Sequence, residues 1–233
     1  MTSKKYQPLG LEWNKPITNR EAKMQLARAV ADGVCPGEVV GVGSGSTSFL
    51  TVLALGERVA SEQLEVSVVP TSIEMELACH AVGLAVLSDV PGQIDRCFDG
   101  ADEVDPQGRL IKGRGGALYR EKLVFAATRT RIIVADKSKD VDRLGSKFPV
   151  PIEVKPQWLR LAYDLLHQMD SVREVGLRMG QAKDGPVITE SGNVLLDAWF
   201  NQINSEDEIA LNSIPGVVCT GIFSGFAFQR ISD

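Results

Sequence analysis

Histidine is almost absent from this chain: two occur among its 233 residues, His80 and His167. Both fall in segments with helical patterning, away from the loop serines, which argues against a Ser-His-Asp hydrolase. The four cysteines, Cys35, Cys79, Cys97 and Cys219, are scattered and form no paired motif. No His/Cys cluster has the spacing of a zinc site, and the reduced thiols of a cytoplasmic protein are the expected state. No apolar run is long enough to span a bilayer. The opening MTSKKYQPLGLEWNKPITN has no apolar core of the kind a signal peptide carries. Excess positive charge is missing too, since 25 Lys and Arg stand against 30 Asp and Glu, a net charge of -5. Neither a membrane nor a nucleic-acid partner is expected, the latter because it needs clustered Lys and Arg. Repeats and low-complexity tracts are also lacking.

What is present is an ordinary globular composition, 44% apolar and 24% charged, long enough for one large domain or two small ones. Residues 1–17 are polar, contain Pro8 and Pro16, and read as an arm. Thr18 and Glu21 fit a capping box that opens a helix with the apolar stripe Met24, Ala27, Val30 and Ala31. Gly33, Pro36 and Gly37 close it. Strands at 38–42, 66–69, 84–87, 94–98 and 131–135 then alternate with helices at 46–55, 73–82 and 117–128. This alternation predicts an α/β fold with a largely parallel, Rossmann-like sheet and helices on both faces. Three prolines in 147-KFPVPIEVKP-156 mark a change of texture. Beyond it come a helix at 157–169, strands at 172–179, 187–189 and 194–200, a helix from near Ser205, and the strand-like 216-GVVCTGIF-223. Their βαββαβ order is that of a small α+β, ferredoxin-like domain. The expected division is residues 1–150 and 219–233 in the α/β domain and 151–218 in the smaller one.

The stretch 41-GVGSGST-47 leaves a strand through three glycines and three hydroxyl side chains. Backbone N–H groups at the start of a following helix have no internal partner, so together with the hydroxyls they can cradle a phosphate. The stretch lacks the Gly-Lys-Ser/Thr ending of a P-loop, and Ser46 stands where a dinucleotide fingerprint has its third glycine. A plain tight turn is the competing reading. The next stretch, 98-FDGADEVD-105, sets Asp99 and Asp102 around Gly100 and Ala101 at a strand's carboxyl end, with Glu103 and Asp105 beyond. Close carboxylates can serve as acid and base. A divalent-metal site is the rival, but the spacing is not that of an EF-hand; a solvated acidic turn is the blander alternative.

The third stretch, 111-IKGRGGALYREK-122, places Lys112 before a glycine-rich turn and Glu121 on the helix after it. Lys112 can neutralise an oxyanion and Glu121 can move a proton, although a Glu between Arg and Lys is ordinarily a surface residue. Last, 136-DKSK-139 puts Lys139 at another strand end, within reach of a phosphate. Taken together, the four stretches point to carboxylate and lysine chemistry around a phosphate, without metal or histidine.

In this order and spacing the motifs GVGSGST, FDGADEVD, KGRGGALYREK and DKSK, with FPVPIEV and 211-LNSIPGVVCTGIF-223, closely resemble the type A ribose-5-phosphate isomerase family. The resemblance runs from the first helix to Phe223. It implies interconversion of D-ribose 5-phosphate and D-ribulose 5-phosphate in the pentose phosphate pathway, without a cofactor or metal, by a cytoplasmic homodimer or homotetramer. It also implies a sugar-phosphate site lined by Ser44, Gly45, Ser46 and Thr47, by Asp99, Gly100, Ala101 and Asp102, and by Lys112, Gly113, Arg114 and Gly115. Glu121 matches the family's proton-transfer base and Lys139 its second binding lysine. Two departures stand out. Arg114 interrupts a run that is often all glycine in the family, and after Phe223 the chain has only SGFAFQRISD where relatives commonly continue through another strand and tail.

Aldose–ketose interconversion through an enediolate moves one proton between neighbouring carbons, so a single carboxylate can remove and return it. Lys112 with nearby N–H groups can hold the enediolate oxygen. Asp99 and Asp102 can handle hydroxyl protons, ring opening included. Two other readings remain open from the residues alone. A non-catalytic sugar-phosphate sensor would not need Lys112 and Glu121 together, and another phosphosugar enzyme of related fold, such as a lactonase or an amino-sugar deaminase, would use a well-placed histidine.

Overall fold

Apolar strands alternating with amphipathic helices must stack in layers, because each strand buries its side chains and each helix its apolar stripe. The computed structural model describes residues 12–13, 15–181 and 183–232. Of the arm expected over 1–17, residues 1–11 and 14 lie outside the described residues. The chain runs through α1 (Arg20–Asp32), β1 (Val39–Val42), α2 (Ser46–Glu62), β2 (Ser67–Pro70), α3 (Ile73–Ala81), β3 (Ala85–Val86) and β4 (Ile94–Asp99). Next come β5 (Glu103–Val104), β6 (Leu110–Ile111), α4 (Leu118–Ala127), β7 (Thr128–Val134), β8 (Val150–Val154), α5 (Leu159–His167), β9 (Val172–Leu177) and β10 (Val194–Phe200). The remaining elements are α6 (Asp207–Asn212), β11 (Val217–Thr220), β12 (Ile222–Phe223) and β13 (Gln229–Ile231). They divide into two compact units. The first holds the described residues up to Gly100, Val124–Val134, and the described residues from Phe228; the second holds Ala101–Leu123 and Ala135–Ala227.

The first unit is built on a six-stranded sheet in the order β13-β7-β4-β1-β2-β3, with every neighbouring pair parallel. Side chains alternate across it. Val40 and Val42 enter a core with Ala27 and Val30 of α1, Leu50 and Leu55 of α2, and Met75 of α3. Between them Gly41 looks the other way, where an added Cβ would run into Val124 of α4 and Cys97. Helices therefore cover both faces, and the near-continuous apolar strands are those of a sheet buried on both sides.

The second unit contains a four-stranded antiparallel sheet in the order β11-β8-β10-β9. With α5 and α6 this is the βαββαβ arrangement the sequence predicts, except that the strand expected at 187–189 is only an isolated bridge, Ile188 opposite Val194. Its core joins Ile152, Val154, Leu196 and Ala198 to Ala162 and Leu166 of α5 and Leu211 of α6. A smaller antiparallel sheet, β12-β6-β5, completes the unit.

Local details differ from expectation. The capping box at Thr18 and Glu21 does not form; Asn19 is the N-cap, in left-handed conformation and without a side-chain cap bond. Helix α2 runs seventeen residues rather than stopping at Leu55; it passes through Gly56, where an added Cβ would run into Val82. The segment 216–223 is two strands, β11 in the four-stranded sheet and β12 against β6. The tail after Phe223 supplies β13, an edge strand of three residues. All four cysteines are free; burial pushes the Cys79 and Cys97 thiols up to about 12 and Cys219 up to about 11, while Cys35 is exposed. Among the described residues no helix is long and apolar enough to cross a membrane.

Candidate functional site

In the first unit the connection after β1 leads by way of α2 to β2 on one side, while β4 and then β7 lie on the other. Such a reversal places a ligand crevice at the carboxyl ends of the strands that flank it, here β1 and β4. The glycine loop and the first acidic residue both emerge there. The Gly43 N–H donates to the Phe98 carbonyl at 2.8 Å. A Cβ on Gly43 would overlap the Asp99 carboxyl group, so glycine is what lets Asp99 lie beside the loop. Asp99 is 3% exposed and accepts the Gly100 N–H at 2.7 Å.

The Ser44 hydroxyl shares a hydrogen bond with Thr71 Oγ1 at 2.9 Å. Gly45 is the N-cap of α2, where no side chain caps the helix and the first turn, from Ser46 and Thr47 onward, carries no acidic residue. The helix dipole and the N–H groups of that turn favour an anion. A cation completes the arrangement: Lys23 of α1 places Nζ 3.4 Å from Ser46 Oγ.

The second unit holds the other group of candidates. Lys112 follows β6, and Glu121 lies one turn into α4. Their charged ends meet at 3.4 Å, with side chains only 3% and 6% exposed. The competing reading, an ordinary surface Glu between Arg and Lys, does not hold here, because Glu121 is buried. Lys112 Nζ also stands 5.6 Å from the centre of the Phe223 ring. A dry carboxylate beside a dry ammonium is an arrangement in which proton transfer and charge stabilisation are both strong.

The turn between them is shaped by Gly113 and Gly116, whose φ angles are 97° and 94°. Arg114 has no positive φ, so the side chain where relatives often have glycine is unstrained. Its N–H donates to Asp102 Oδ2 at 3.2 Å and its exposed guanidinium lies 4.8 Å from the Phe148 ring centre. Lys139, in a short 3-10 turn capped by Asp136, stands 5.8 Å from the same ring. Arg114→Gly is accordingly expected to change kcat/KM by less than about tenfold. Steady-state kinetics check this, and a loss beyond about a hundredfold would place the guanidinium on the substrate.

The other carboxylates of the acidic stretch are committed elsewhere. Glu103, fully buried, accepts the N–H groups of Gly145, Lys147 and Phe148 at 2.6, 2.6 and 2.8 Å. Asp105 accepts from the Gln107 and Arg109 backbones and pairs with the Arg109 guanidinium at 2.7 Å. Among the described residues no group of three or more His, Cys, Asp or Glu is placed to hold a metal ion. His80 is an exposed residue of α3, 4.0 Å from Glu76, and His167 of α5 packs edge-on against Tyr163. Thus Ser44, Gly45, Ser46, Thr47, Asp99 and Gly100 belong to the first unit. Ala101, Asp102, Lys112, Gly113, Arg114, Gly115, Glu121 and Lys139 belong to the second. Sequence reasoning missed Lys23 and Thr71, which stand in no recognisable motif, and Phe148, which opens the FPVPIEV motif without a role assigned to it there.

One buried acid outside these groups has its own consequence. Glu153 of β8 is 1% exposed and accepts from Thr189 Oγ1 and Asn193 Nδ2, both at 2.8 Å. Burial raises its pKa above the ordinary 4.5, only partly offset by those two bonds. Above that ordinary value the unfolded chain has released the proton while the folded chain still holds it, so this contribution to stability is lost as pH rises through the raised value. Glu153→Gln should remove the trend: the melting-temperature difference between variant and wild type should shift in the variant's favour from about pH 5 to about pH 8. Parallel melting curves over that range would contradict it.

Comparison with known proteins adds the family. A family model described as ribose 5-phosphate isomerase A (phosphoriboisomerase A) matches residues 67–232. A ribose-5-phosphate isomerase A of Methanothermobacter thermautotrophicus is 44% identical over 212 residues, covering 90% of this chain and 92% of the relative. The solved structure of ribose 5-phosphate isomerase A from Methanocaldococcus jannaschii superimposes with a TM-score of 0.86 at 36% identity, over 92% of this chain and 95% of that one. A D-ribose-5-phosphate isomerase solved in complex with phospho-erythronic acid gives 0.86 at 39% identity, over 93% and 95%.

Proposed function

From the premise that the chain belongs to the ribose 5-phosphate isomerase A family and is an isomerase of that kind, EC 5.3.1.6, we propose how its own residues carry out the reaction. Glu121 removes the proton from the carbon next to the carbonyl and returns it to the neighbouring carbon. Lys112, with the N–H groups of the turn that follows, stabilises the negative charge on the enediolate oxygen between those events. Asp99 and Asp102 manage the hydroxyl protons of ring opening and of the enediolate. The phosphate is taken by Ser46 and Thr47 at the N-terminus of α2, by Lys139, and by Lys23, a contact suggested by its place beside Ser46. That grip uses binding energy remote from the reacting carbons to fix their position. A sugar phosphate as ligand is supported by the phospho-erythronic acid complex of the 39% identical relative.

The observation that carries the reading is the buried Lys112–Glu121 pair, which a sensor of sugar phosphates does not need. The reading extends to a homo-oligomer working in the cytoplasm without metal. The test is formation of ribulose 5-phosphate from ribose 5-phosphate by the purified protein with EDTA present. Turnover that is unchanged by chelation is expected; activity lost to EDTA and restored by Mg²⁺ or Mn²⁺ would make Asp99 and Asp102 metal ligands instead.

A further inference from the structure

The turn that follows Lys112 is held from outside by a residue that no motif singles out. Arg178 stands just after β9, and its N–H donates to the Leu195 carbonyl at 2.9 Å. Its guanidinium makes a two-point pair with Asp197 of β10, through Nε at 2.7 Å and through NH2. The remaining amino group, NH1, donates to two successive carbonyls of the turn, Gly113 O at 3.1 Å and Arg114 O at 2.9 Å. The head is part-buried, with side-chain exposure of 16%, against 25% for Asp197. Resting on the isomerase reading above, we propose that Arg178, fixed by Asp197, is a positioning residue that sets the direction of the Gly115 N–H that the turn offers to the substrate.

The argument is one of peptide geometry. In a trans peptide the C=O and the following N–H lie in one plane and point opposite ways. Arg178 therefore fixes the planes that join Gly113 to Arg114 and Arg114 to Gly115. In the first plane the far edge is also held, since the Arg114 N–H donates to Asp102. In the second, pinning the Arg114 carbonyl directs the Gly115 N–H away from the guanidinium. Gly113 and Gly115 on either side leave these planes with little intrinsic preference, so an external clamp decides their orientation. A planar fork bound on one edge to a carboxylate suits that task; an ammonium, with one point of attachment, does not.

Arg178→Ala should lower kcat/KM for ribose 5-phosphate by about ten- to a hundredfold, the scale of a roughly 1 Å misplacement of catalytic donors. Arg178→Lys should recover little of it. Because the effect runs through the Lys112 turn, adding Arg178→Ala to Lys112→Met should cost much less than it costs the wild type, whereas a general loosening of the fold would add in full. Rates are referred to the folded fraction, measured by circular dichroism and melting temperature. If Arg178→Ala does not fold, Asp197→Asn decides, with a loss of about three- to tenfold expected from a guanidinium no longer anchored. An active wild type with a folded Arg178→Ala within threefold of it, additive losses, full recovery in Arg178→Lys, or, if Arg178→Ala does not fold, an unaffected Asp197→Asn would each overturn the proposal. A wild type that does not isomerise ribose 5-phosphate would overturn the isomerase reading itself.

Discussion

Glu121→Gln is expected to lower kcat by about 10²–10⁴ while KM for ribose 5-phosphate changes little. The substitution keeps the size and shape of a side chain that is only 6% exposed, and takes away the group that can accept a proton. The phosphate contacts assigned to Ser46, Thr47, Lys23 and Lys139 are left as they were. A second readout separates chemistry from binding. In D₂O the wild type should exchange the migrating hydrogen of the sugar with solvent, and Glu121→Gln should not. Retention of more than about a tenth of wild-type kcat would remove Glu121 from the role of base.

Lys112→Met should cost about 10²–10³ in kcat, comparable to the loss of an oxyanion-hole donor elsewhere. Methionine fills much the same space, so the space beside Phe223 stays filled, but the positive charge 3.4 Å from Glu121 is gone. Removing one partner of a buried ion pair is also destabilising by about 3–5 kcal/mol, since the other charge stays out of water. The melting temperature should therefore fall together with the rate, and assays belong well below it. A folded Lys112→Met within tenfold of wild-type kcat would show that the ammonium serves the fold and not the reaction.

Much of this architecture can be read from the amino-acid sequence alone. Val39–Val42 and the other apolar runs give the parallel sheet, and the glycine loop announces the end of β1 because only glycine permits the approach of Asp99. Short motifs carry over well when the chemistry is local. Legibility fails where a residue's task is set by partners far along the chain. Glu103 and Asp105 look like further members of an acidic cluster, yet Glu103 anchors a loop more than forty residues on and Asp105 closes its own turn on Arg109. Lys23, in an ordinary amphipathic helix, meets Ser46 only after α1 has folded. Arg178 and Asp197 read as polar residues of neighbouring strands, and nothing local says that they hold Gly113 and Arg114. At Thr18 the pattern itself misleads, since Asn19 takes the N-cap position instead.

The edge strand β13 has a consequence for the order in which the molecule assembles. Its three residues pair in parallel with β7, Gln229 opposite Ile132 and Ile231 opposite Val134. That ladder closes a loop of roughly 95 residues, and bringing the ends of a flexible loop that long together costs about 4 kcal/mol in chain entropy. So short a ladder does not offset that cost while Ala135–Ala227 is still unstructured. Once that stretch has condensed around the core of Ile152, Val154 and Leu196, the loop is no longer flexible and the strand can dock. The outer rim of the parallel sheet is therefore the last of its strands to be laid down, and its amides should be the first of the sheet to trade their protons with solvent.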